Sequence, residues 1–390
     1  MNSGHNSTAP ADISIFICAG EQSGDLHASG LLKELRKQAS GIILNFTGIG
    51  GDLLKNEGVN LLYHIKDLST IGYLDVVRKY GFFKKVLNEC SEFIKRNNPA
   101  VIILVDYPGF NIRLAERIRS FYGGKIIYYI SPQLWAWNKK RVYKIKKYVD
   151  KMLVVFPFEV DFYKSFGVEA IYVGHPLVKR IKLFLDQNKK PTDSPSKQKS
   201  ITILPGSRND EIRNHLPVLI KTASLLKDEF NAEINFSIAQ GIGQDTYNRF
   251  SSSLQRFNLI HENIYESILN SDLVLAKAGT STIECSLLGT PFLVFYRTFP
   301  VNYYLLKPIV NVDKLGMVNI LAKENIVKEF IQKDFTAPNL VNESRKILND
   351  ESYRTSLQQR LKKIWDILGS EDASYNAAKM VMSNFNEVNA

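Results

Sequence analysis

Four clusters of polar residues follow short apolar runs in this chain. Glu21, Ser23 and Asp25 come after Ile13–Ala19, and Asp106 and Asn111 come after Val101–Val105. Ser207 and Arg208 come after Ile201–Leu204, and Gly279 to Glu284 come after Leu273–Ala276. Parallel α/β sheets bind ligands just beyond the carboxyl ends of their strands, where all four clusters would stand. The small-residue turn Ala278-Gly279-Thr280-Ser281-Thr282 can bring backbone N–H groups close to a ligand. A helix starting behind such a turn presents its N-terminus to an anion. Ser281 and Glu284 also have S-x-x-E spacing, so Glu284 fits a capping box equally well. Each of the other carboxylates has a helix cap or a solvated turn as its plain alternative. Two sheets facing across a cleft could hold a nucleotide donor on one side and an acceptor on the other.

The elements that must position these residues alternate. The pattern predicts strands over 13–19, 42–46, 61–65, 101–105, 125–130 and 152–155, with a short extended piece at 171–173. Helices are predicted over 26–37, 80–95, 112–121, 139–148 and 160–166. Gly48-Ile49-Gly50-Gly51 reads as a tight turn. The composition shifts at Gln187 to Lys199, which is polar, charged and proline-containing, as in a linker. A second series follows, with strands at 201–204, 233–239, 273–276 and 292–296, helices at 217–230 and 244–254, and a helical tail from Asn339. The expected class is α/β, with two doubly wound parallel-sheet domains in tandem. The expected divisions are a loose tail over 1–12, an N-terminal domain over 13–180, a second over 200–350, and C-terminal helices over 351–390 that could pack back on the first.

Composition narrows the class. The chain has 390 residues, 45% hydrophobic and 23% charged, which suits a globular protein with real cores. Its three cysteines, Cys18, Cys90 and Cys285, are too widely spaced for a metal pair or disulfide framework and suit a reducing cytoplasm. The first residues lack a charged-then-apolar leader pattern. The longest apolar runs fall far short of the roughly 20 residues of a transmembrane helix. The net charge of +11 favours an anionic partner: nucleic acid, a phosphorylated substrate or an acidic membrane surface.

Several longer motifs occur in one order along the chain. They are AGEQSGDLHASGLL (Ala19 to Leu32), STIGYLDVV (Ser69 to Val77), DYPGFN (Asp106 to Asn111), YISPQLWAWNKKRVYKI (Tyr129 to Ile145), FPFE (Phe156 to Glu159), VGHP (Val173 to Pro176), LPGSR (Leu204 to Arg208), GTSTIEC (Gly279 to Cys285) and VNILA (Val318 to Ala322). In this order and spacing they resemble the lipid-A-disaccharide synthases, bacterial glycosyltransferases with the GT-B fold.

The resemblance implies an enzyme that joins UDP-2,3-diacylglucosamine to 2,3-diacylglucosamine 1-phosphate. The product would be a β(1→6) disaccharide, released with UDP, by an inverting reaction needing no metal or other cofactor. It puts Asp106 at the family position of the general base for the acceptor hydroxyl, a role an in-line displacement requires. It gives Arg208 and the Gly279–Thr282 turn the departing diphosphate, whose charge a guanidinium and a helix N-terminus would neutralise. It gives Glu284 the ribose hydroxyls and sets Asn319 in the nucleotide-side asparagine motif. Glu21, Ser23, Asp25, Asn111 and His175 are carried over as acceptor-side residues. His175 has a structural, hydrogen-bonded role as its alternative, and Trp135 and Trp137 read either as core aromatics or as acceptor contacts.

The chain departs from the family at Gly109, where many relatives have a second Asp, which leaves Asp106 the only candidate carboxylate of that motif. Its GIGGDLL segment lacks the Pro-Arg pair of some relatives. Lys140, Lys144, Lys147 and Lys151 recur at helical spacing, and Lys79-Tyr80 with Phe82, Phe83, Lys84 and Lys85 mixes aromatics with cations. For lipid substrates, such surfaces are expected to face an anionic inner membrane from the cytoplasmic side; a solvated helix face over ordinary core is the plainer reading. No nucleic-acid module is visible. The oligomeric state, a homodimer included, stays open. Two other function classes compete: a UDP-N-acetylglucosamine 2-epimerase-like isomerase, and a non-catalytic nucleotide- or membrane-binding protein.

Overall fold

A computed structural model describes residues 11–68, 73–188, 198–239, 242, 244–299 and 313–386. The expected tail, except for residues 11 and 12, the start of the STIGYLDVV motif and most of the polar stretch near 190 lie outside the described residues. The chain divides into two compact units, Met1–Pro176 with Glu371–Ala390, and Leu177–Ser370.

The first unit is a seven-stranded parallel sheet. Its strands are β1 (Ala11–Ala19), β2 (Ile42–Gly50), β3 (Asn60–His64), β4 (Val101–Val105), β5 (Lys125–Tyr129), β6 (Lys151–Val154) and β7 (Ala170–Tyr172). Their order is β3-β2-β1-β4-β5-β6-β7. The all-apolar β4, VIILV, is buried along its whole length, as a central strand covered on both faces must be. Strand order reverses direction between β1 and β4, whose last residues, Ala19 and Val105, are partners. The helix Ala373–Asn386 returns to this unit and packs on the helix Gln22–Gln38.

The glycines at 48–51 do not make the predicted turn. Gly48 and Gly50 lie inside β2, and a Cβ on Gly48 would sit 1.8 Å from the Ile17 carbonyl of β1. The residue lets two neighbouring strands approach. The helix expected from Tyr80 begins at Tyr73.

The second unit is a six-stranded parallel sheet with β8 (Ser200–Leu204), β9 (Glu233–Ser237), β10 (Asn258–Ile260), β11 (Leu273–Lys277), β12 (Phe292–Tyr296) and β13 (Glu329–Ile331). Its order is β10-β9-β8-β11-β12-β13, so its reversal falls between β8 and β11. Two edge strands of three residues, β10 and β13, are too short to carry a periodic signal. The helix predicted from Pro217 starts at Asn209 and carries Pro217 in its interior. Its first turns are not excluded by a proline, which removes one donor without ending the helix here. The predicted helix over 244–254 is two short pieces, Gln244–Asn248 and Ser251–Leu254. The C-terminal segment forms helices Ala337–Asn349 and Glu351–Leu368 in this unit.

Candidate active site

In the first unit, Asp106 is the residue after β4 and Glu21 follows β1 by two residues, so both stand where the strand order reverses. That is where open α/β sheets bind ligands. Asp106 and Tyr107 both adopt left-handed backbone conformations, with φ of 47° and 48°. Such a pair of non-glycine residues persists only where the surroundings hold it. Here the Asp106 N–H donates to the Tyr129 carbonyl (3.0 Å), and the Asp106 carbonyl accepts from the Tyr128 hydroxyl (2.5 Å) and Asn111 Nδ2 (2.8 Å). Gly20 makes room for the Tyr107 ring, which a Cβ there would meet at 2.0 Å. Burial pushes the Asp106 carboxyl up to about 6, with the nearby Glu21 carboxylate adding to it and the Tyr107 N–H opposing it. Glu21, from the neighbouring strand end, is the second carboxylate that acts on Asp106.

Three acceptor-side expectations change. Asp25 is buried and spends its carboxylate on backbone N–H groups: Gly51 (2.6 Å) and Leu54 (3.2 Å) on Oδ1, and Leu53 (3.1 Å) on Oδ2. It satisfies the N-terminal backbone of the helix Asp52–Asn56 from outside that segment. Asn111 is fully buried, and its amide donates to carbonyls of Cys18, Val105 and Asp106, so it braces the Asp106 backbone. His175 is buried against Phe156, with ring centroids 5.0 Å apart. Burial, with His27 nearby, pushes it down to about 3, so it stays neutral near pH 7 and supplies no positive charge. Glu21 and Ser23 remain exposed.

Trp135 is core. Its indole N–H donates to Glu159 Oε1 (3.2 Å), which also accepts from the Ser131 hydroxyl (2.5 Å), while Glu159 Oε2 accepts from the Phe156 N–H (3.1 Å). Burial pushes this carboxyl up to about 7, and those hydrogen bonds pull against it. Trp137 is 39% exposed, under the Arg141 guanidinium at 5.2 Å.

In the second unit, Ser207 and Arg208 follow β8 and Lys277 ends β11. Arg208 is exposed, its Nη1 3.7 Å from Glu211 Oε1. Gly279 has φ of 154°, and Thr280 is the N-cap of the seven-residue helix Ser281–Leu287. The capping box is not formed. Thr280 makes no side-chain cap bond, and the Ser281 hydroxyl donates backward to the Lys277 carbonyl (3.0 Å). Glu284 instead accepts from the Tyr265 hydroxyl (3.1 Å). Burial pushes its carboxyl up, and Tyr265 and Arg180 pull it back. The Thr282 hydroxyl folds onto the Gly279 carbonyl (2.8 Å).

Asn319 departs from the expected nucleotide contact. Its Oδ1 accepts from the N–H groups of Ile326 and Val327, and its Nδ2 donates to the Val327 carbonyl and Glu329 Oε1. An amide offers two donors and two acceptor sites, so this one is saturated. Asn319 is fully buried and ties the helix Met317–Ala322 to the approach of β13.

The expected membrane face splits. Phe82 and Phe83 pack inward, Phe82 edge-on to Tyr63 (5.9 Å) and Phe83 to Phe110 (5.2 Å), while Lys84 and Lys85 stay exposed. On the segment 139–148, Lys140, Lys144 and Lys147 are exposed beside Tyr143, 61% exposed, while Val142 and Ile145 are buried. Among the described residues no cluster of His, Cys, Asp or Glu could hold a metal ion, and no helix is long and apolar enough to cross a membrane.

Two parallel α/β sheets, each with polar side chains at its point of strand reversal, define the GT-B class of fold. Solved structures agree on that fold. A UDP-GlcNAc 2-epimerase from Neisseria meningitidis bound to UDP-GlcNAc superposes with a TM-score of 0.60 at 10% identity, covering 97% of this chain and all of that one. A calicheamicin glycosyltransferase gives 0.60 at 12%, covering 97% and 99%. The family is decided by sequence. The model described as lipid-A-disaccharide synthetase matches residues 15–384. A lipid-A-disaccharide synthase 1 from Legionella pneumophila is 36% identical over 96% of this chain and 98% of its own length. One from Geobacter sulfurreducens is 34% identical over 94% and 96%. The chain belongs to the lipid-A-disaccharide synthase family and is a glycosyltransferase of lipid A biosynthesis.

Proposed function

We propose that the enzyme transfers 2,3-diacylglucosamine from its UDP conjugate to the 6-hydroxyl of 2,3-diacylglucosamine 1-phosphate, with inversion, forming the β(1→6) disaccharide 1-phosphate and UDP. The observation that carries this is Asp106: a carboxylate at a strand-reversal point, with Glu21 beside it and an affinity for protons raised to about 6. A base that titrates just below neutrality is matched to removing a proton from an attacking hydroxyl.

In this reading Arg208 and the backbone of the Gly279–Thr282 turn take the diphosphate, and Glu284 takes the ribose. Arg208 has the exposure and planar fork that a phosphate requires. Glu284 is half-buried, is not spent on a cap, and shares its carboxylate with only one hydroxyl among the described residues, Tyr265. The acylated substrates are collected at the cytoplasmic face of the inner membrane. Lys140, Lys144 and Lys147, with exposed Tyr143 and Trp137, form the basic-aromatic surface for anionic headgroups.

The test is product analysis of the purified enzyme with UDP-2,3-diacylglucosamine, with and without the acyl-sugar phosphate. The expected product is a disaccharide whose new anomeric proton shows the coupling of a β linkage. An α linkage would refute inversion. Isomerisation of the donor sugar without acceptor would favour the epimerase class. Flotation with vesicles containing anionic lipid tests the surface, and loss of binding in Lys140→Glu/Lys144→Glu is the expected result.

A further inference from the structure

We infer that Lys277 is a second cation for the donor diphosphate, held ready beside Arg208 by the carboxylate of Glu211. The inference rests on the reading of the second unit as the UDP site. No ordinary motif reading singles out Lys277, because it is the last residue of a buried strand. The sheet nonetheless delivers it to the same place as Arg208, since β11 and β8 are neighbours in register, with Ala276 opposite Leu204. Lys277 and Arg208 therefore emerge from adjacent strand ends at the reversal point.

One carboxylate organises both. Glu211 Oε1 is 2.9 Å from Lys277 Nζ and 3.7 Å from Arg208 Nη1, and Glu211 Oε2 accepts from the Ser207 N–H at 3.1 Å. Two cations against one carboxylate leave a local excess of positive charge. Burial alone would push Glu211 up, yet Lys277, the Ser207 N–H and Arg208 hold it below its ordinary value. The two cations differ in readiness. Arg208 has 77% of its side chain exposed, whereas Lys277 has 19%. Fixing an exposed Arg costs rotamer entropy on binding; most of that cost is already met for Lys277.

The turn leaves room in front of the ammonium. A Cβ built on Gly279 would stand 3.4 Å from Lys277 Nζ and, its chain neighbours aside, within 4 Å of no other residue. The missing side chain thus opens a space bounded by the turn and the Lys277 ammonium. An ammonium has three donors. Glu211 engages this one from one side, and the Tyr296 ring lies 5.9 Å away. A phosphate oxygen in that space would meet a charge already in place.

The experiment measures UDP and UMP affinity by calorimetry for the full chain and three variants, with thermal melts alongside. Lys277→Met should weaken UDP by roughly 10- to 100-fold, the size of one charge-assisted hydrogen bond, and shrink the preference for UDP over UMP. Lys277→Arg should keep most of that preference. Glu211→Gln has one acceptor oxygen for two donors, the Ser207 N–H and the Lys277 ammonium, so it loosens Lys277, but it also removes the charge that opposes a phosphate at both cations. The second effect is the larger, and UDP should bind more tightly than to the native protein. A purely structural ion pair makes the opposite forecast: Glu211→Gln and Lys277→Met harm UDP binding and melting alike, with the UDP-to-UMP ratio unchanged. That result would overturn the assignment. If Lys277→Met fails to fold, the sign of the Glu211→Gln effect decides the matter. A native protein that binds no UDP would instead refute the donor-site reading itself.

Discussion

Replacing Asp106 by Asn should make the enzyme nearly inactive and more stable at the same time. The carboxyl stands at about 6 in the folded protein against an ordinary 3.8, chiefly through burial and secondly through Glu21. A raised acid favours its neutral form in the folded state. Its stabilising contribution is therefore complete below pH 3.8 and is lost as pH rises through about 6. Above that the folded state carries a cost of about 3 kcal/mol, at 1.36 kcal/mol for each tenfold change in proton affinity. Asn is neutral at every pH and tolerates the left-handed backbone found here. Asp106→Asn should thus melt higher than the native protein at pH 8, by roughly 6–12 °C for a unit of this size, and the gain should vanish near pH 4. Turnover should fall at least ~10²-fold, as expected for a lost general base. The assay is a pair of calorimetric scans at pH 4 and pH 8, with product formation measured at pH 8. In the native enzyme, kcat/KM should fall below about pH 6, and Glu21→Gln should move that limb to lower pH. An Asn variant no more stable at pH 8 than the native protein, or equally shifted at both pH values, would refute the electrostatic reasoning. Near-normal turnover would refute the role of base.

Three further outcomes are expected. Arg208→Lys should weaken UDP binding although the charge is kept, because a point charge cannot replace a bidentate fork; unchanged UDP affinity by calorimetry would remove Arg208 from the site. Glu284→Gln should raise donor KM about tenfold while the melting temperature does not fall, because burial disfavours the native charge and Gln can still accept from Tyr265; an unaltered KM would show that Glu284 does not hold the ribose. Glu159→Gln should flatten the pH dependence of stability. The native carboxyl, raised by burial from 4.5 to about 7, costs the folded state increasingly as pH climbs through that range. Melting temperatures at pH 5 and pH 8 should therefore differ less in the variant, whatever its absolute loss.

What the chain shows in one dimension depends on how local each signal is. Buried parallel strands such as VIILV announce themselves, because both faces are covered and no polar residue interrupts them. Asp106 is legible for the same reason: it is the first polar residue after such a run. Asp25 misleads because its partners are backbone N–H groups of residues 51–54, which no side-chain pattern records. Asn319 misleads in the same way, its partners lying at 326–329. Phe82 and Phe83 look like a membrane patch beside two lysines, and only the placement of Tyr63 and Phe110 turns them inward. The S-x-x-E pattern at 281–284 has the right spacing for a box, but the helix starts with Thr280 as its cap, which puts both side chains out of phase with that role.

The fold itself is neutral about chemistry, since the same pair of sheets can carry different reactions. The choice is made by charge at the two strand reversals, and here the two differ in sign. The first ends in two carboxylates, Glu21 and Asp106, and Glu21 adds to the burial that disfavours an ionised Asp106. The second ends in two cations, Arg208 and Lys277, balanced by the single carboxylate of Glu211. A base poised near pH 6 is set chiefly by burial and helped by a nearby negative charge; a leaving diphosphate needs a positive one. Built at one strand reversal, the two demands would cancel, because the cations would draw the base's proton affinity back toward that of an ordinary carboxylate. With each charge on its own sheet, substitutions at Glu21 should tune the pH limb without altering UDP affinity, and those at Glu211 should alter UDP affinity without moving the limb. A Glu211→Gln enzyme whose acid limb shifted as far as that of Glu21→Gln would show that the two reversals do not act independently.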